Sequence, residues 1–190
     1  SGAGAFVVED LETALARKAT IYAEILGGDV NSGGQRGLGT MTAPNSEAVQ
    51  RCIKNAVLNA GIQASEIDVI NGHLTATSKD ALEIENWCMA LDRYGLDFPY
   101  INSLKGMVGH CLSAAGSVEL VASILEIYYQ FIFPSINCSD IHPAILTHIA
   151  SEKIPQKTIY QPINILAKAS FGFGDVNGCI ILKKYTHEPN

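Results

Sequence analysis

Short apolar runs alternate with segments of helical periodicity along most of this 190-residue chain. The clearest helix is predicted over residues 46–60, because its apolar residues recur three and four positions apart and Gly61 suits the C-terminal cap. Near the C-terminus, residues 163–171 and 176–185 surround a glycine-rich turn and predict a closing hairpin. Alternating strands and helices that end in a hairpin are typical of an α/β fold with a mixed sheet. We expect helix, sheet, helix layering.

The whole chain, residues 1–190, reads as a single domain in three parts. Residues 1–27 predict a strand over 4–9, a helix over 10–18 and a strand over 20–27, residues 28–44 a glycine-rich loop, and residues 45–185 the core. The core predictions are strands at 67–71 and 99–102, helices at 79–94 and 113–131, and an irregular connection over 134–162. The helix over 113–131 is apolar on nearly every side, which predicts that it is buried. Since the chain opens directly on an apolar run, we expect it to be the back part of a longer polypeptide.

Composition excludes several classes of protein. Hydrophobic residues make up 47% of the chain and charged residues 17%, so disorder is excluded, and the low charge suggests that another domain or subunit covers part of the surface. A net charge of −6 without a basic cluster argues against nucleic acid as a partner. No uncharged apolar stretch reaches the roughly 18 residues of a membrane span, so no membrane association is expected.

The five cysteines are odd in number and widely spaced, and none forms a Cys-x-x-Cys pair. This pattern indicates a reducing, cytoplasmic setting rather than a disulfide scaffold. It also disfavours structural zinc, and no metal site is expected.

The first of three polar stretches that could carry chemistry is Asn71-Gly-His73-Leu-Thr75-Ala-Thr77. It follows a predicted strand, and the carboxyl ends of strands are where α/β folds bind ligands. The alternative is a turn whose hydroxyl and carboxylate groups cap the next helix.

The second stretch is Asn102-Ser-Leu-Lys105-Gly-Met-Val-Gly109-His110, which precedes the apolar helix. An unpaired buried charge is costly, so a lysine beside that helix should pair with a carboxylate, and Glu119 is the candidate. The alternative is a surface lysine and a histidine bonded to a backbone carbonyl.

The third stretch is Ser170-Phe171-Gly172-Phe173-Gly174-Asp175-Val-Asn177. Glycines around two aromatic residues permit unusual backbone angles and a mobile aromatic side chain. The alternative is an ordinary hairpin turn with a phenylalanine packed beneath it.

Taken in order, these stretches resemble the C-terminal half of the β-ketoacyl-[acyl-carrier-protein] synthases, the condensing enzymes of fatty-acid and polyketide synthesis. That family carries H-G-T-x-T, then K-x-x-x-G-H before a Gly/Ala-rich helix, then G-F-G-G-x-N. The chain has His73-Leu-Thr75-Ala-Thr77, Lys105-Gly-Met-Val-Gly109-His110 and Gly172-Phe173-Gly174-Asp175-Val-Asn177, and the resemblance extends over essentially its whole length. It departs from the family where Leu74 replaces a glycine and where Asp175 and Val176 replace Gly-Thr.

The resemblance implies a thiolase-like fold, in which two similar α/β halves form five αβαβα layers and this chain is the second half. The family's nucleophilic cysteine lies in the first half, and none of the five cysteines here has matching surroundings. We therefore expect the chain to be inactive by itself and to require the missing N-terminal half as a partner. A homodimer is expected for the full-length protein.

The implied reaction is a decarboxylative Claisen condensation between an acyl thioester and malonyl-acyl carrier protein. By resemblance, His73 and His110 are the catalytic donors to the enolate oxygen. Lys105, paired with Glu119, would hold the local charge and the tautomer of His110.

The resemblance also implies four substrate-binding residues. Thr75 and Thr77 would bind the phosphopantetheine arm, and Phe171 and Phe173 would contact the substrate. The Phe173 N–H would bind the thioester oxygen, and its ring would gate the acyl pocket. No cofactor is implied beyond the phosphopantetheine arm, which the acyl carrier protein brings.

Three alternatives are open. A chain-length-factor-like partner subunit of the same fold would be non-catalytic, but the joint presence of both histidines and the lysine favours an enzyme. A thiolase needs a second reactive cysteine in a C-terminal loop, whereas Cys179 lies in an apolar strand. A structural α/β domain is disfavoured by three motifs in order.

Overall fold

The computed structural model describes residues 1–186. Its helices are α1 (Leu11–Ala16), α2 (Ser46–Asn59), α3 (Asp80–Leu91), α4 (Lys105–Val108), α5 (Ala115–Tyr129) and α6 (Pro143–Leu146). Its strands are β1 (Glu24–Ser32), β2 (Val69–Asn71), β3 (Tyr100–Asn102), β4 (Phe131–Ile132), β5 (Ile159–Tyr160), β6 (Ile165–Gly172) and β7 (Val176–Lys183). The helix over 46–60, the strands at 67–71 and 99–102 and the closing hairpin are confirmed, each within a few residues.

Five strands form one mixed sheet in the order β1-β7-β6-β2-β3. Strand β7 runs antiparallel to β1 and β6, whereas β2 runs parallel to β6 and β3. Asn71 and Asn102 are paired in register at the carboxyl ends of β2 and β3. The loops that follow these two strands therefore leave the sheet at the same edge.

Helices cover both faces of this sheet, as expected. On β6, the apolar residues Ile165, Ala167 and Ala169 pack with α2 and α3, while the alternate residue Leu166 packs with α5. This two-residue alternation is what a pleated strand between two helical layers requires. The α/β fold class and the layered mixed sheet are confirmed.

Four predicted elements differ in the structure. Residues 4–9 form no strand, because no other part of the described chain pairs with them. The second strand runs from Glu24 to Ser32, since β7 pairs with it over that length, and so the glycine-rich loop begins later than residue 28. Helix α3 ends at Leu91 because Asp92 adopts a left-handed conformation with φ of 52°. Residues 134–162 contain α6 and β5 rather than irregular chain alone.

Helix α5 is not buried on all sides, so that prediction is wrong for the described chain. Its buried positions include Glu119, Ser123 and Glu126, which face the sheet, whereas Tyr129 on the outside is 62% exposed. Leu120 and Ile127 are buried as well, but the outer face of α5 carries exposed apolar residues, and polar groups make up half of its buried face.

The stretch Leu112–Tyr129, with 18 residues and a mean hydropathy of 1.2, is long and apolar enough to cross a membrane on those two criteria. The core helices of water-soluble proteins can meet the same criteria. Because Glu119 and Glu126 on this stretch are bonded to groups inside the domain, we interpret it as a core helix.

Candidate active site

The two histidines singled out by the sequence lie side by side. Strand β2 leads to His73, and His110 follows α4 and the turn at Gly109. Their ring centroids are 5.4 Å apart, with the planes nearly perpendicular at 82°. The Leu112 N–H donates to Nδ1 of His110 at 3.0 Å, so the neutral ring carries its proton on Nε2. His110 can therefore donate a hydrogen bond from Nε2.

His73 is held in its neutral form. Burial lowers the pKa of its imidazole to about 3, and the positive charges of Lys105 and Lys168 act in the same direction, as does His110. A neutral imidazole keeps one N–H for donation. Its buried Nδ1 has no hydrogen-bond partner among residues 1–186.

The backbone beneath His73 is fixed by Glu83 of α3. Its carboxylate accepts hydrogen bonds from the N–H groups of His73, at 2.7 Å, and Leu74, at 2.8 Å. Burial raises the pKa of Glu83 to about 7, although these two bonds act to lower it. Glu83 was not predicted as a site residue, although a carboxylate on the inward face of the predicted helix was a visible signal.

Asp80, at the start of α3, orders the turn that holds the two threonines. Its carboxylate accepts from the N–H groups of Thr75 at 3.0 Å, Ala76 at 3.0 Å and Thr77 at 3.3 Å. The Thr75 and Thr77 hydroxyl oxygens are 3.2 Å apart. Asp80 thus bonds the turn that precedes α3, whereas no side chain of the described residues caps the helix at Lys79, and both hydroxyls border the cleft described below.

Glu119 lies under the histidine loops and pairs with two lysines. Its Oε1 forms the ion pair with Lys105 that the sequence predicts, and its Oε2 lies 2.7 Å from Nζ of Lys168. All three side chains are at most 6% exposed. Lys168 was not predicted as a site residue. A lysine inside the apolar run of β6 was nevertheless a visible signal, because a buried lysine almost always has a partner.

An open cleft of about 810 Å³ collects the predicted substrate-binding residues at this edge of the sheet. Both histidines line it, together with Thr75, Thr77, Phe171 and Phe173. Phe171 is buried with its ring centroid 6.4 Å from that of His73, whereas Phe173 is 68% exposed. The Phe173 ring therefore lies at the solvent side of the cleft.

The turn that carries Phe173 is tied to the glycine-rich loop by Asp175. This buried residue has a φ of 64°, and its carboxylate accepts from the N–H groups of Gln35 at 3.1 Å and Asn45 at 2.8 Å. The absence of a side chain at Gly33 leaves the space that the Asp175 carboxylate fills. The substitution noticed in the third motif therefore forms a contact between two loops.

Comparison with known proteins identifies the family of the chain. Residues 22–139 match the family described as "Beta-ketoacyl synthase, C-terminal domain". The chain belongs to the β-ketoacyl synthase family. It is 36% identical to 3-oxoacyl-[acyl-carrier-protein] synthase 2 of Rhizobium meliloti over 97% of its own length and 42% of that protein. It is likewise 36% identical to 3-oxoacyl-[acyl-carrier-protein] synthase 1 of Escherichia coli, over 96% of its length and 42% of that protein.

Solved ketosynthases share the fold of this β-ketoacyl synthase domain. The ishigamide ketosynthase/chain length factor superposes with a TM-score of 0.83 at 31% identity, covering 94% of this chain and 42% of the other. A β-ketoacyl synthase from Burkholderia phymatum gives 0.82 at 29% identity, covering 94% and 41%. The thiolase-like fold is confirmed, and the chain spans about two fifths of the length of these relatives.

None of the cysteines, all of which lie in the described part of this β-ketoacyl synthase domain, lines the cleft. Burial raises the pKa of the Cys52 and Cys88 thiols to about 12 and that of Cys179 further still. Such thiols are poor nucleophiles because the thiolate is the reactive form. Within residues 1–186, no three His, Cys, Asp or Glu side chains group in a way that could hold a metal ion.

Proposed function

We propose that this domain supplies the two histidines and the lysine of a 3-oxoacyl-[acyl-carrier-protein] synthase, acting in fatty-acid or polyketide synthesis. The observation that carries the proposal is the pair of imidazoles, 5.4 Å apart, at the carboxyl edge of β2 and β3. Both rings border a cleft large enough for a substrate arm.

The proposed reaction begins with an acyl group bound as a thioester to a cysteine outside this chain. The malonyl group of a second thioester then loses carbon dioxide as its C–C bond breaks, and the bonding electrons form an enolate. The enolate carbon attacks the acyl carbonyl, and the cysteine leaves as a thiolate. Two new groups must be stabilised, the enolate oxygen and then the oxyanion of the tetrahedral intermediate.

Two imidazole N–H groups suit the enolate oxygen. His110 donates from Nε2, because its Nδ1 already accepts from Leu112. His73 stays neutral at physiological pH, and its one N–H can donate to the same oxygen. Fixed donors aimed at a developing oxyanion contribute on the order of 10²–10³ in rate each.

Lys105 acts behind the histidines rather than on the substrate. Its ion pair with Glu119 places an ammonium group near His73 without exposing it to the cleft. We assign it the roles of setting local charge and holding the orientation of His110. Asp80 and Glu83 hold the backbone that presents His73 and the threonines.

The four substrate-binding residues border the same cleft. Thr75 and Thr77 present hydroxyl groups that suit the amide and hydroxyl groups of a phosphopantetheine arm. The acyl chain would lie against Phe171, with Phe173 as the gate. The partner that carries this arm is an acyl carrier protein; a structurally similar ketosynthase, 31% identical to this chain, has been solved in complex with its acyl-carrier protein.

The nucleophilic cysteine belongs to a partner half whose contact surface this chain leaves open. Residues 4–9, which are apolar apart from Glu9, have no strand partner in the described chain, and Val7 is 84% exposed. The outer face of α5 is apolar and exposed. Since the relatives are more than twice as long as this chain, an N-terminal half is the occupant we assign to both surfaces. We extend the proposal to a homodimer of the two-half protein.

The alternative is a chain-length-factor-like subunit without catalysis, since one similar structure is described as a ketosynthase/chain length factor. The two are separated by incubating the intact protein with acyl- and malonyl-acyl carrier protein and detecting the 3-oxoacyl product by mass spectrometry. We expect product from the intact protein and from His148→Ala, a histidine outside the cleft, but none from residues 1–190 alone. Absence of both decarboxylation and condensation in the intact protein would favour the non-catalytic subunit.

A further inference from the structure

The buried cluster beneath the histidines contains one ammonium group more than pairing with Glu119 requires. Lys105 and Lys168 share the single carboxylate, one on each oxygen. Residues 105, 119 and 168 come from α4, α5 and β6, so three separate elements converge there. With both lysines protonated, the cluster carries a net charge of +1.

The surroundings of Lys168 fit a protonated amine. Its Nζ donates to the Ala169 carbonyl and lies 3.3 Å from the Ser170 hydroxyl oxygen, in addition to the 2.7 Å contact with Glu119. An ammonium group has three N–H donors, and three oxygen acceptors surround it here. Burial lowers the pKa of Lys168 on balance, and Lys105 acts in the same direction, whereas Glu119 and Glu83 favour the protonated form.

From this geometry we infer that Lys168 is a positioning residue that keeps the Glu119 carboxylate from neutralising Lys105 completely. The inference rests on the proposed function, and it assigns Lys168 a role in the decarboxylation step. The excess positive charge lies close enough to His73 to act on its imidazole, and its field extends to an anion bound in the cleft beside that ring. It favours that anion and disfavours protonation of His73. Lys168 touches neither substrate nor reacting atoms.

The test concerns the charge around His73, which is set by the titratable groups packed near its ring. They are Glu83 from α3, Lys105 from α4, His110, Glu119 from α5 and Lys168 from β6. Substituting Lys168→Met removes one positive charge but leaves the Lys105–Glu119 pair intact. No buried charge is orphaned, and so the variant should fold.

The first measurement is the titration of His73 by ¹⁵N NMR in the intact protein. In Lys168→Met we expect the pKa of His73 to rise by on the order of one unit, because one positive charge is lost from a site that is largely shielded from water. The double variant Lys168→Met/Glu119→Gln restores the net charge of +1, and the pKa of His73 should return toward its wild-type value. Lys153→Met, a lysine that lies over the Tyr100 ring, is the matched control and should leave the titration unchanged.

The second measurement is decarboxylation of malonyl-acyl carrier protein by the intact protein. We expect Lys168→Met to lower kcat about tenfold, in keeping with a barrier increase near 1.4 kcal/mol. KM should change little, and Lys168→Arg should retain most of the activity. A purely structural role would instead make the double variant worse than the single one in both measurements.

An unchanged His73 titration in Lys168→Met would overturn the inference, whatever the activity. Should the methionine variant fail to fold, Lys168→Gln, which is also neutral but can still donate to the Ala169 carbonyl, replaces it with the same expectations. If the intact wild-type protein decarboxylates nothing, the proposed function fails, while the NMR titration still decides whether Lys168 sets the charge around His73.

Discussion

Glu126 offers a prediction about stability whose size follows from the structure. This carboxyl is buried on the sheet side of α5, where its Oε1 accepts from Asn102 Nδ2 at 2.6 Å and from the Phe133 N–H at 3.0 Å. Its Oε2 has no hydrogen-bond partner in residues 1–186. Burial raises the pKa of Glu126 from 4.5 to about 8, and the two hydrogen bonds only partly oppose this. The folded protein therefore holds a proton there at neutral pH.

The sign and magnitude follow from proton linkage. Because the folded pKa is above the unfolded one, the contribution to stability is complete below pH 4.5 and is lost as the pH rises through about 8. Each pH unit in that window removes about 1.4 kcal/mol, which amounts to about 5 kcal/mol over the whole window. In Glu126→Gln the amide keeps the accepting Oε1 and carries no titrating proton, so this dependence should disappear.

The assay is urea denaturation of the intact protein and of Glu126→Gln at several pH values between 5 and 9. The free energy of unfolding of the wild type should fall relative to the variant as the pH rises. Near pH 9 the variant should be the more stable of the two by several kcal/mol. Other titrating groups, Glu83 among them, cancel in this difference. Parallel curves for the two proteins would refute the reasoning.

Two further predictions concern the loops of the site. Glu83→Gln should reduce decarboxylation and destabilise the protein by about 1–3 kcal/mol near pH 5, because an amide leaves one buried backbone N–H at His73 or Leu74 without an acceptor. This cost should shrink above pH 7, because burial raises the pKa of Glu83 to about 7 and the ionised carboxylate is disfavoured there; a variant with wild-type rate and wild-type stability at pH 5 would contradict this. Gly33→Ala should displace the Asp175 carboxylate and speed proteolysis of the glycine-rich loop, whereas Gly178→Ala, whose new Cβ would lie 3.9 Å from its nearest neighbour, should not. Equal cleavage rates for the two alanine variants would argue against the loop contact.

Much of the fold was predictable because its signals are local. Helix α2 shows clear apolar spacing and an Asn45 cap, and the β6–β7 hairpin is marked by its glycines. Residues 4–9 were not predictable in the same way, because a strand exists only with a neighbour, and the described chain offers none. Complete burial of helix α5 was wrongly predicted for a related reason. An apolar surface looks the same in sequence whether this chain or another one covers it.

The site was predictable where motifs fix both residue type and spacing. His73, Lys105 and His110 stand out in sequence, and Glu119 follows from the need to pair a buried lysine. Lys168 was not found, because its role depends on strand alternation that turns it toward α5, a relation between elements 49 residues apart in the chain.

The most direct test of the central claim is the rate of malonyl-acyl carrier protein decarboxylation by the intact protein and by His73→Ala, His110→Ala and the double variant. We predict that each single substitution lowers the rate by on the order of 10²–10³, and that the double variant loses little more, because both N–H groups serve one oxygen. A rate that stays at the wild-type level after either substitution would contradict the account.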